Sequence, residues 1–252
     1  MLRQALSFAV GLALVTCCGL IPRASAQGSG LPKTLSKLCG LPGVSADVVQ
    51  FASADGARVT GAVGGKGAIG VVLANSSDGT MCDWVGNESK FINLLIGKGY
   101  RVLLFNYKGA HWDANVVGAA ARLRAMGARR VVLVGASTGG IVVLGASARI
   151  RPALVAVIDL SASGDPGATS TSAAKGGIDG KVAAAALKVP VLLVTARNDS
   201  YGYAPTVTLF RAAHEKDKQL LVVPGQAHAF FDFDPAGTKV DARALAFIGA
   251  HT

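Results

Sequence analysis

Hydrophobic residues along this chain follow two alternating periods. Short runs of Val, Ile, Leu and Ala, each about five to seven residues long, predict strands over 47–53, 57–63, 69–74, 101–106, 130–134, 153–159, 190–196 and 219–223. Between the later runs, apolar positions recur three and four residues apart, or small residues dominate. These stretches predict helices over 87–98, 113–126, 140–150, 203–215 and 240–250. Asp113 is the expected N-cap of the second helix, and Gly127 lies just past its end. Asp55-Gly56 between the first two strands is a hairpin turn signal, so the sheet opens antiparallel. The run 69–74 is apolar throughout, as expected of a strand covered on both faces. The alternation that follows implies βαβ units. The predicted fold class is therefore α/β: a mostly parallel, eight-stranded sheet with helices on both faces and an antiparallel N-terminal hairpin. Residues 161–180 are rich in Ser, Gly, Ala and Thr and lack the apolar content of a large lid domain; a mobile loop is expected there.

The start of the chain changes the domain picture. Arg3 precedes an uncharged, mostly apolar run from Ala5 to Ile21, and Ala24-Ser25-Ala26 is a small-residue cleavage pattern. Residues 1–26 are expected to be a signal peptide cut after Ala26, directing a secreted or periplasmic protein. A lipoprotein anchored at Cys17 is the alternative. The run is short for a membrane span and holds Gly11 and Gly19, so no stable span is expected after its removal. Residues 27–46 read as a tether and 47–252 as one domain with a sizeable core.

Losing Arg3 and Arg23 lowers the formal charge from +10 to +8. The basic residues are scattered without interleaved aromatics, which argues against nucleic-acid binding. Cys39 and Cys82 are the cysteines left in the mature chain. In an exported protein they are candidates for a disulfide; two buried thiols are the other reading.

The candidate chemistry sits in Gly135-Ala136-Ser137-Thr138-Gly139, between a predicted strand and a predicted helix. A G-x-S-x-G there is the nucleophile-elbow pattern. The sharp turn aims the Ser137 hydroxyl outward and presents the Thr138 N–H to a bound carbonyl oxygen. A Gly-rich turn with an unreactive serine is the alternative. Serine needs a base, and the base needs an orienting acid. His228 follows the last predicted strand, which places it over the same sheet edge as Ser137. Asp199 follows the strand before it, with Asp159 as the competing acid. The chain order is then Ser, Asp, His. His111, Trp112, Tyr201, Tyr203 and Phe230 lie in loops near that edge and are candidate pocket walls for an apolar acyl or aryl group.

With these residues in place, the chain resembles α/β-hydrolase fold proteins of the small esterase and dienelactone-hydrolase-like sort, over about residues 47–250. The resemblance rests on the elbow, on the Asp199 and His228 turns, and on Phe105-Asn106-Tyr107-Lys108-Gly109, which is similar to that family's F-D-Y-R-G run. It implies hydrolysis of small-molecule esters through a serine acyl-enzyme, with no metal or organic cofactor. Serine peptidase, acyltransferase, or a non-catalytic binding protein on the same fold are the alternatives. After its third strand the family carries His-Gly, whereas this chain has Asn75-Ser76-Ser77. By position Asn75 belongs to the substrate pocket, and Ser76 or Ser77 supplies the second oxyanion donor beside Thr138. A Cys39–Cys82 bridge would pin this loop.

Overall fold

Eight strands pair in the order β1-β2-β4-β3-β5-β6-β7-β8. The computed structural model describes residues 33–77, 80–163, 177–232 and 234–252. The strands are β1 (Asp47–Ala52), β2 (Arg58–Gly64), β3 (Ile69–Ala74), β4 (Arg101–Phe105), β5 (Arg130–Ala136), β6 (Leu154–Leu160), β7 (Val191–Ala196) and β8 (Lys218–Val223). β1 and β2 form the expected hairpin, with Gly56 at φ 89° in its turn. β2 meets β4 antiparallel, and every later pairing is parallel. The mostly parallel sheet and its antiparallel start are as expected from the hydrophobic pattern.

Successive residues of a strand face opposite sides of the sheet, so two separate cores form. Val71, Leu73, Val132 and Val134 point to one side, with Trp84, Phe91, Leu95 and Phe247. Val72, Ala74, Val131 and Leu133 point to the other, with Val116, Leu123, Val142 and Leu209. The first core is covered by helices α1 (Leu35–Cys39), α2 (Met81–Asn87), α3 (Ser89–Gly97) and α8 (Gly237–His251). The second is covered by α4 (Trp112–Ala125), α5 (Thr138–Ser147), α6 (Gly180–Ala185) and α7 (Tyr203–Ala212). After β3 the chain crosses to β4 on one side and returns to β5 on the other. β3 and β5 therefore flank the reversal of strand order, where open sheets of this kind bind ligands.

Three boundaries differ from the expectation. Two helices, α2 and α3, meet at Glu88 (φ −141°); the second is the helix expected over 87–98, and the first was not expected. Thr80 opens α2 with a reciprocal capping box: its hydroxyl accepts from Cys82 N–H, and Asp83 accepts from Thr80 N–H. His111 rather than Asp113 is the N-cap of α4; Asp113 lies in the first turn and pairs with Arg149 at 2.7 Å. The part of the expected tether from Lys33 onward is packed. Leu35 is fully buried, Thr34 bridges to Asp47, and Cys39 is disulfide-bonded to Cys82 with their Cα atoms 5.4 Å apart. The apolar residues Leu35, Leu38 and Val44 are spaced too irregularly to be read as packing without the partner surface. The expected signal peptide, the Cys17 anchor, the tether before Lys33 and most of the expected loop at 161–180 lie outside the described residues. Among the described residues no helix is long and apolar enough to cross a membrane.

The disulfide closes a loop across a sequence separation of 43 and ties the N-terminal segment to α2. Loop-closure entropy predicts that replacing both cysteines by serine lowers stability by about 3–4 kcal/mol. Urea unfolding of the double variant against the oxidised protein measures this; an unchanged midpoint contradicts it.

Candidate active site

The turn between β5 and α5 places Ser137 at φ 56°, ψ −120°, a backbone conformation that L side chains rarely adopt. Its neighbours leave no room for alternatives. A Cβ on Gly135 would lie 2.2 Å from the Gly139 carbonyl oxygen. A Cβ on Gly139 would lie 2.5 Å from the carbonyl oxygens of both Ala74 and Asn75. The two elbow glycines thus let the start of α5 press directly on the end of β3. Ser137 N–H donates to Leu160 O at 2.9 Å, tying the turn to β6 as well.

Three side chains from distant parts of the sequence meet at this edge. His228 Nε2 lies 2.9 Å from Ser137 Oγ. His228 Nδ1 lies 3.0 and 2.9 Å from the two carboxyl oxygens of Asp199. Asp199 Oδ1 also accepts from Tyr201 N–H at 3.0 Å and Gly202 N–H at 2.8 Å, so the carboxyl is held before it meets the ring. With Nδ1 against a carboxyl group, the ring carries its proton there and offers a lone pair at Nε2. That is the tautomer a general base needs. His228 sits in a tight turn in which Phe230 N–H donates to His228 O at 2.7 Å and Ala229 takes φ 66°. Asp159, the competing acid, is fully buried, and the hydrogen bond acting on its carboxyl comes from the Ala162 backbone. Burial pushes its carboxyl well above the ordinary range, opposed by the Ala162 N–H, and it is Asp199 that lies against the histidine.

The other expected site residues divide. Thr138 is the first residue of α5, where helix N–H groups have no intrahelical acceptor, beside Ser137 as an oxyanion donor requires. Ser76 and Ser77 follow β3, half-buried, across the elbow. Asn75 was expected in the pocket but is fully buried: its Nδ2 donates to Phe105 O, and its own carbonyl accepts from the Tyr107 hydroxyl at 3.0 Å. It braces the loop, because a side chain directly beyond a central strand is covered by the next strand's exit. Tyr201 is 72 % exposed with its ring 5.7 Å from that of His228. Phe230 packs edge-on against Trp84 and Trp112 stacks on Tyr107, so both cap the sheet. His111 is exposed at the start of α4. Tyr203 is the first residue of α7.

Two contacts were not anticipated from sequence. Ser163, just past β6, places its Oγ 2.7 Å from Ser137 Oγ. In a stretch crowded with Ser and Thr nothing marked it out. Glu88, buried between α2 and α3, accepts from Phe231 N–H and so anchors the loop that carries His228. Glu88, Asp232 and Asp241 are the acidic side chains that approach closely enough to share a cation among the described residues. The Lys90 ammonium, 3.1 Å from Asp241, already supplies a positive charge there.

Burial pushes the Glu88 carboxyl up to about 9, opposed by the Phe231 amide and reinforced by Asp232 and Asp241. From its ordinary value of 4.5 to about 9, the folded protein keeps a proton that the unfolded chain releases. This contribution to stability is present in full below pH 4.5 and is lost as pH climbs to about 9. Glu88→Gln keeps an acceptor for Phe231 N–H but cannot ionise. Its melting temperature is expected to fall less than that of the wild type between pH 5 and pH 9, as thermal melts across that range will register.

No protein-family model matches the sequence, and no curated protein matches it. Solved structures do. An esterase of Pyrococcus furiosus superposes with a TM-score of 0.68 at 15% identity, covering 88% of this chain and 97% of that one. A dienelactone hydrolase of Anabaena variabilis gives 0.63 at 19% identity over 82% and 98%. A monoacylglycerol lipase of Paleococcus ferrophilus gives 0.63 at 17% identity over 77% and 99%. Likeness of this extent at such low identity is a statement about architecture: the chain has the α/β-hydrolase fold, with Ser137, Asp199 and His228 gathered at the carboxyl edge of its sheet.

Proposed function

We propose that this protein is a serine hydrolase that cleaves carboxylic esters with small or short-chain acyl groups. The observation that carries the reading is the hydrogen-bonded line from Ser137 Oγ through His228 to Asp199, with contacts of 2.9 to 3.0 Å. The fold it shares with an esterase, a lipase and a dienelactone hydrolase supports the same chemistry.

Ser137 Oγ attacks the ester carbonyl while its proton passes to His228 Nε2. Asp199 holds the ring and stabilises the imidazolium that forms. The Thr138 N–H and a donor from Ser76 or Ser77 receive the oxyanion, each worth about 3–4 kcal/mol in the transition state. The alcohol leaves with the proton from His228. Water then gives a proton to the same nitrogen, attacks the acyl group, and returns Ser137 to its starting state. The exposed ring of Tyr201 beside His228 offers an apolar face to the acyl or leaving group. The protein is exported: residues 1–26 are a leader cut after Ala26. The Cys39–Cys82 disulfide supports an oxidising compartment.

Ser137→Ala is expected to reduce p-nitrophenyl ester hydrolysis by about 10⁴-fold or more and to abolish labelling by a fluorophosphonate. Asp199→Asn is expected to cut kcat by about 10³- to 10⁴-fold with labelling slowed. Unchanged ester hydrolysis by purified Ser137→Ala protein rejects the assignment. Peptide amides and acyl acceptors run in the same assay separate an esterase from a peptidase or an acyltransferase.

A further inference from the structure

Ser137 Oγ touches a hydroxyl that the mechanism above leaves unused. Ser163 Oγ lies 2.7 Å from it and 3.5 Å from Thr138 Oγ1. Hydrogen-bond accounting sets the direction of the short contact. His228 Nδ1 faces the Asp199 carboxyl, so Nε2 is an acceptor and takes the single Ser137 proton. Ser137 has nothing further to donate. Ser163 must therefore be the donor, with its O–H pointed at a lone pair of the nucleophile.

The donor is held in place by its own chain. Ser161 and Ala162, just before it, are fully buried, and Ser161 N–H donates to Val194 O at 2.7 Å. Ser161 takes φ 53°, a strained conformation that turns the chain at the end of β6 back over the elbow. Among the described residues Ser137, Ser161 and Ala229 are the non-glycine residues with positive φ. Two belong to the nucleophile and histidine turns already described. The third aims Ser163.

We infer that Ser163 is a fourth catalytic side chain, a donor to Ser137 Oγ that promotes breakdown of the acyl-enzyme rather than its formation. The inference rests on the serine-hydrolase reading above. During acylation Ser137 Oγ is the nucleophile, and a hydrogen bond donated to it withdraws electron density and offers no help. During deacylation the same oxygen is the leaving group. Water attacks the acyl carbon and gives its proton to His228 Nε2. The bond between the acyl carbon and Ser137 Oγ then breaks, and its electron pair goes to Oγ. Oγ takes the proton back from Nε2 while the Ser163 O–H stabilises the developing negative charge. Ser163 keeps its own proton throughout, and the free acid departs.

Stopped-flow hydrolysis of p-nitrophenyl acetate separates the two steps, since p-nitrophenol release reports acylation and the later steady phase reports deacylation. For Ser163→Ala the acylation rate constant is expected to stay within about threefold of wild type, and deacylation to slow by about 10- to 100-fold. Then kcat and KM fall together, kcat/KM is preserved, a burst of about one equivalent appears, and acetylated Ser137 accumulates in intact-protein mass spectra. Ser163→Thr, which keeps a hydroxyl, is expected to restore deacylation to within about threefold of wild type; it also gives a readout should the alanine variant fold poorly. The inference is overturned if acylation slows as much as deacylation, if neither step changes, or if Ser163→Thr is as slow as a well-folded Ser163→Ala. A wild-type protein that hydrolyses no ester and leaves Ser137 unlabelled overturns the functional reading and this inference together. An active, labelled wild type with any of the three results just named overturns this inference alone.

Discussion

The contact between the start of α5 and the end of β3 is the constraint from which the rest of the site follows. Gly139 lies so close to the carbonyls of Ala74 and Asn75 that any side chain would push the two strands' exits apart. That closeness bends the backbone at Ser137 into its strained conformation and stands its hydroxyl clear of the sheet. It also places the loop after β3 across from the Thr138 N–H, where an oxyanion would sit. A strained residue persists only where its surroundings over-determine it, and here β3, β5 and β6 all hold the turn.

Around this turn the protein uses buried polar groups as fasteners. Asn75 and Tyr107 stitch the loop after β3 to the exit of β4. Glu88 reaches across from the α2–α3 junction to the backbone beside His228. The Lys90 N–H donates to Asp232 at 2.7 Å, and its ammonium pairs with Asp241. A carboxyl group buried in this way is most stable when neutral, unless a cation or several N–H donors face it. At Asp159 burial outweighs the one backbone N–H, that of Ala162, and pushes the carboxyl well above the ordinary range. Asp199 receives two backbone N–H groups and an imidazole, which is what suits it, and not Asp159, to the role of orienting acid.

The run Asn75-Ser76-Ser77 after the third strand takes on a different meaning in three dimensions. Read linearly, Asn75 stood where a pocket residue would be. Folded, it is a strut, and the run Phe105-Asn106-Tyr107 is its counterpart. Asn106 Oδ1 accepts from Met81 N–H at 2.9 Å, while the Tyr107 hydroxyl reaches the Asn75 carbonyl. Both ends of the loop that would supply the second oxyanion donor are thereby fixed without a glycine.

The mostly parallel sheet, its two-sided burial, the hairpin at Asp55-Gly56 and the places of Ser137, Asp199 and His228 past strand ends were all readable from the chain. Each is recorded by local chemistry: branched aliphatics in runs, small turn residues, and a serine flanked by glycine. Helix α2, the packing of residues 33–46 and the contacts of Glu88 and Ser163 were not readable, because each depends on a surface brought from elsewhere. Leu35 has no periodic companions, Glu88 bonds an amide 143 residues away, and Ser163 is one of many hydroxyls in its stretch. Sequence alone determined which residues could do chemistry and on which edge of the sheet they would emerge. Only the tertiary structure decided which of two acids faces the histidine and which second serine faces Ser137. Those choices turn on desolvation and on distances of about 3 Å, and neither is written in the spacing of residues along the chain.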